Sequence, residues 1–151
     1  MTLRDTILLL ERIASEHPAI HTLVRNDVYK LNEHPAVEYG AFAWTQGQHG
    51  GSLDSWAVVF RFSLFYVDRL TENGGNQIEV QSTAVSVLDN ILRALAAQGV
   101  EVDPWTITTF HQKFTDVCAG AFAQVAIRVP NDSICVDTYE AAPGPGNLLI
   151  I

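Results

Sequence analysis

Residues 56–70 constrain this chain more than any other stretch. Trp56, Val58, Phe60, Phe62, Leu64 and Tyr66 fall on alternate positions with no polar break, which is the period of a β-strand that buries one face. The intervening positions, Ala57, Val59, Arg61, Ser63, Phe65, Val67 and Arg69, are half apolar. That second face is therefore expected to be covered as well, partly by the second of two predicted helices and partly by a neighbouring subunit. At about 3.3 Å per residue the strand would be roughly 50 Å long, more than twice the common length, so it is expected to bend or to run past its sheet.

A sheet built on such a strand needs helices to close its core, and two are readable. Thr2 with Asp5 gives a capping pattern, and Leu3, Ile7, Leu10 and Ala14 recur at helical spacing, so a first helix is predicted over 3–15, stopped by Pro18. Ala84, Val87, Leu88, Ile91, Leu92 and Leu95 form a second stripe between the Asn73-Gly74-Gly75-Asn76 turn and Gly99, predicting a helix over 78–98. Short strands are predicted at 22–24 and 28–31, a longer one at 37–45, and others at 105–110 and 120–129. A turn at 130–133 leads into a last strand at 134–139, closing a hairpin that places Cys135 opposite Arg128 and away from Cys118, which disfavours a disulfide. The fold class expected is α+β, a mostly antiparallel sheet with two helices on one face. It forms a single domain over 1–140, followed by an extended C-terminal arm over 141–151.

Two segments look suited to reach outward. Gln46, Gly47, Gln48, His49, Gly50 and Gly51 open a run with few groups able to pack, expected to be a mobile arm between strands. The terminal Leu148, Leu149, Ile150 and Ile151 follow two Gly-Pro breaks and are expected to dock on a neighbour. With Phe65 and Val67, these residues form the expected inter-subunit interface.

Composition excludes several functions. A net charge of -8 with only 9 Lys and Arg in 151 residues opposes binding to a polyanion, which needs clustered cations. An acidic surface instead suits the wall of a conduit through which DNA slides. The opening MTLRDTILLLER is interrupted by charge, so no signal peptide is expected, and no run reaches the roughly 20 apolar residues of a membrane span. Two cysteines are too few for a disulfide framework.

No active site is expected. His17 and His21 have the spacing of paired metal ligands, but Pro18 falls between them and no Glu follows His17. His111 and Cys118 lack a motif, and apolar neighbours at Val117 and Ala119 would leave the thiol inert. Gly144-Pro-Gly146 has neither strand nor helix in the order a dinucleotide site requires. Asp54, Asp68, Glu72, Glu79 and Asp103 read as solubilising carboxylates, and Trp44, Trp56 and Trp105 as core or interface anchors. No cofactor, metal or catalytic residue is assigned.

Three longer strings, HPAIHTLVRNDVYKLNEHPAVEYG, FRFSLFYVDRLTENGGNQIEVQSTAVSVLDNILRAL and FTDVCAGAFAQVAIRV, follow the opening helix in an order that resembles the tail-terminator and tail-completion proteins of tailed bacteriophages. They are similar to small virion proteins of the head-to-tail region in crAss-like phages. The likeness covers most of residues 3–139, and departs from the family where Arg25-Asn26-Asp27 replaces an expected Gly before Asp. It implies a homo-oligomeric ring in the virion neck or tail, with portal, connector or tail proteins as neighbours, joining or sealing a conduit through which genomic DNA passes without sequence-specific contact. The alternative expectation is a small non-enzymatic adaptor domain that binds another protein with its sheet face.

Overall fold

A computed structural model describes residues 1–32, 37–71, 73–111, 118–130, 146 and 148–151. The first helix, α1 (Leu3–Glu16), starts on the capping box foreseen for Thr2: its hydroxyl accepts from the Asp5 N–H and the Asp5 carboxylate accepts from the Thr2 N–H, each at 3.1 Å. It ends at His17, before Pro18. Strand β1 (Thr22–Arg25) follows, then a 3-10 helix over Val28–Asn32 where a second short strand was expected. Asp27 explains the difference. Its carbonyl accepts from the Lys30 N–H at 3.3 Å and its carboxylate from the Tyr29 N–H at 2.9 Å, which tightens the backbone into a turn. Val28 and Leu31, three residues apart, then point the same way. Asn26, where the family resemblance leads one to expect Gly, has φ of 57°, a conformation that Asn tolerates better than most residues.

Strand β2 (Ala41–Gln46) is shorter than the 37–45 expected. A three-residue strand, β3 (Gly50–Ser52), then turns into β4 (Ser55–Arg69), set one residue before the expected 56–70 and of the same length. Helix α2 (Gln77–Ala97) ends as predicted ahead of Gly99, whose φ of 85° suits glycine at a helix terminus. The remaining strands are β5 (Glu101–Val102), β6 (Thr106–His111), β7 (Cys118–Pro130) and β8 (Leu149–Ile150). The strand expected at 134–139, and Cys135 within it, lie outside the described residues.

Among the described residues, eight strands make one sheet in the order β5-β7-β4-β2-β1-β8, with β3 added beside β4 and β6 beside β7. Pairing is antiparallel except around β1, which runs parallel to β2 and to β8. The fold is therefore α+β with a mostly antiparallel sheet. β4 and β7 pair over thirteen positions, from Ala57↔Pro130 to Arg69↔Cys118. They lie so close at Gly120 that a Cβ there would collide with the Tyr66 carbonyl.

Both helices pack on one face of this sheet. Leu10, Leu88, Ile91, Leu92 and Leu95 meet Phe60, Phe62, Leu64 and Tyr66 in the main core. No described helix is long and apolar enough to cross a membrane.

The opposite face carries a smaller core of Val24, Val28, Leu31, Ala41, Ala43, Val67 and Cys118. Its cover is the 3-10 helix, not α2 as the sequence suggested. Val28 and Leu31 of that helix supply the lid from within the chain.

Candidate inter-subunit surface

The segment expected to be a mobile arm is instead folded back on β4. The Gly47 N–H donates to the Arg61 carbonyl at 2.8 Å, and the Arg61 guanidinium donates to the Gln48 carbonyl at 3.1 Å. His49 Nδ1 accepts from the Arg61 N–H at 3.2 Å, so its Nε2 carries the proton and donates to Gln46 Oε1 at 2.9 Å. The imidazole also stands edge-on to Phe60, 5.5 Å between centroids. Gly50 and Gly51 pair with Val59 and Val58, and a register shift follows before Ser52 meets Ser55. Chain flexibility inferred from three glycines was outweighed by a strand partner that composition does not reveal.

What projects is the tip of this β3–β4 hairpin. Leu53 is 108% exposed and Trp56 83% exposed. Trp56 was expected in the core because it shares the parity of Phe60 and Phe62. It lies beyond the reach of the helices, however, and Val58 is the last residue of that parity to pack, only partly, against the main core. The sequence signal for this surface was the excess length of the strand.

Phe65 and Val67 have different fates. Val67 is fully buried in the smaller core by its own chain, so it is not accessible to a partner. Phe65 is half-buried and packs on Phe122, 5.8 Å between ring centroids. At the C-terminus, Leu148 packs against the main core and Ile151 against the smaller one, while Leu149 and Ile150 form β8 on the edge of β1 and stay partly exposed. The Ile151 N–H donates to the Leu23 carbonyl, and its carbonyl accepts from the Arg25 N–H, each at 3.1 Å. The apolar terminus was expected to dock on a neighbour, and it instead pairs with β1 of its own chain.

Arg25 joins this edge to α1. Its guanidinium donates to the buried Glu11 carboxylate, Nε at 2.7 Å and Nη2 at 3.2 Å, and Trp44 Nε1 adds a third donor at 3.2 Å. A carboxylate inside the protein is tolerated because charge-assisted hydrogen bonds replace its water.

Several polar groups elsewhere are paired within the chain. Asp103 pairs with Arg128 at 2.8 Å, and Asp89 with Arg93 at 2.6 Å. His17 Nδ1 accepts from the Ala19 N–H at 3.1 Å, and burial lowers its pKa. The Tyr66 hydroxyl donates to the Ala19 carbonyl at 3.1 Å, and its pKa is pushed up to about 12 by burial and then by Asp68, which keeps it neutral. Cys118 is buried. Among the described residues no three His, Cys, Asp or Glu lie close enough to hold a metal ion. One open cleft, about 470 Å³, is lined by Gln48, Arg61, Ser63, Asp103, Pro104 and Gln124 among others.

No known family model matches this chain, and no curated protein is significantly similar to it.

Proposed function

We propose that the protein is a structural, non-enzymatic subunit of a closed ring in the head-to-tail region of a tailed-phage virion, where it joins or seals the DNA conduit between portal and distal tail. The observation that carries this reading is the β3–β4 tip, where Leu53 and Trp56 stand in solvent beyond the core. Two large apolar side chains together on a projecting hairpin favour burial in an assembly, at about 25 cal/mol per Å² of apolar area covered. Tryptophan is also the residue type most enriched among the anchors of protein interfaces. Contacts between unlike patches close into rings when the rotation between subunits allows it. The net charge of -8 suits a lumen that DNA traverses without sticking. The element order and the three strings quoted above, which resemble tail-terminator proteins, support a place in the virion.

Electron microscopy of the purified protein at high concentration tests the reading. Closed rings with a central opening are expected. Isolated monomers at every concentration, with or without candidate neighbouring virion proteins, would contradict it.

A further inference from the structure

The chain exposes a second apolar place besides the hairpin tip, and the two differ in shape. On α2, Ile78 is 72% exposed and Val85, two turns later, is partly exposed. Four residues before Val85, Gln81 Nε2 donates to the Phe110 carbonyl at 3.2 Å. Four residues after it, Asp89 Oδ1 accepts from Trp105 Nε1 at 3.3 Å. These two bonds place Val85 alongside β6. Among the described residues β6 pairs only with β7, so Thr106–109 present an outer strand edge next to the α2 stripe. A strand edge flanked by apolar helix side chains suits the addition of an extended segment.

The hairpin has the complementary form. Among the described residues β3 pairs on one side only, with β4, and two of its three residues are Gly50 and Gly51, so no side chain on either face hinders a second backbone there. Leu53 and Trp56 at its end supply apolar side chains. Residues 46–60 contain no Lys or Arg and a single carboxylate, Asp54. The cations facing this hairpin are Arg61, which donates to the Gln48 carbonyl, and Arg128, which is paired with Asp103, so with Asp54 the charge there balances. Neither nucleic acid nor an anionic membrane would gain net charge attraction from it. A head-to-tail contact between identical subunits requires two unlike, mutually fitting patches on one chain.

We infer that the hairpin tip of one copy packs Leu53 and Trp56 against the α2–β6 side of a second copy, with β3 lying along β6. The inference rests on the ring reading and names its interface. Replacing Trp56 by the photo-crosslinking residue p-benzoylphenylalanine, irradiating the assembled full chain and mapping the joined peptides tests it. The expected result is cross-links between copies, from position 56 to α2 near Ile78 and Val85 or to β6. In parallel, Trp56→Ala is expected to raise the concentration of half-assembly at least about tenfold, as loss of an interface anchor does, with an unchanged circular dichroism spectrum.

Cross-links between copies that fall elsewhere would overturn the interface while leaving a ring intact. Wild-type protein that never leaves the monomeric state would overturn the ring reading and this inference with it. Co-flotation of such a monomer with neutral phosphatidylcholine vesicles would assign the tip to a lipid surface instead.

Discussion

The two ends of β4 carry the same alternating pattern and meet different surroundings. From Phe60 to Val67 both faces are in use: Phe62 and Leu64 are buried under the helices, and Val67 is buried in the smaller core behind them. From Ser55 to Ala57 the strand is still paired, Ser55 with Ser52 and Ala57 with Pro130, yet Trp56 stands in solvent. Alternation decides which side chains share a face. Whether that face is covered depends on elements distant in sequence, here α2 and the 3-10 helix.

Mutations graded along this strand would sharpen or break the contrast. The largest loss is expected for Leu64→Ala, about 3–4 kcal/mol from lost burial and a residual cavity in the main core, read by urea unfolding. Next comes Gly120→Ala, where the added methyl meets the Tyr66 carbonyl. Forcing β7 away from β4 is expected to lower stability by about 2–3 kcal/mol. Glu11→Ala removes the acceptor shared by Arg25 and Trp44. A loss of about 2 kcal/mol is expected, below the full cost of breaking a buried ion pair because the Arg25 side chain is 42% exposed and water can replace its partner.

Alkali gives a smaller effect that also reports on the covered end. Tyr66 ionises at about 12 in the fold against 10.0 ordinarily. The unfolded chain therefore gives up this proton first. The contribution of Tyr66 is fully present below pH 10 and is lost as pH rises toward 12, and Tyr66→Phe should flatten stability across that window. The smallest effect on folding is expected for Trp56→Ala, within about 0.5 kcal/mol, as for an exposed side chain without structural partners. A loss comparable to that of Leu64→Ala would show that the tip belongs to the folded core and erase the contrast.

Both helices, the long strand and its partner β7 were legible because their signals are local: the Thr2–Asp5 cap, the stripe from Ala84 to Leu95, glycine at 99, and uninterrupted alternation. The misreadings concern what lies against what. Val28, Tyr29, Lys30 and Leu31 have strand-like composition, but the Asp27 side chain turns the backbone over them into a 3-10 helix. Glycines 47, 50 and 51 suggest mobility, and nothing in the run itself shows that the Arg61 backbone and side chain hold it. The parity of Trp56 is right, but its burial depended on where α2 lies. Of the expected interface, Val67 proved internal, and the exposure of Leu53, Ile78 and Val85 carried no pattern that marked it in advance.

In the proposed ring, the exposed end of β4 serves assembly and the covered end folding. Sedimentation velocity over a wide concentration range, on wild type and Trp56→Ala side by side, tests it most directly. A closed oligomer of fixed size is expected for wild type, and a folded monomer for Trp56→Ala at concentrations where wild type is fully assembled. Identical sedimentation of the two proteins, whether both assembled or both monomeric, would contradict it.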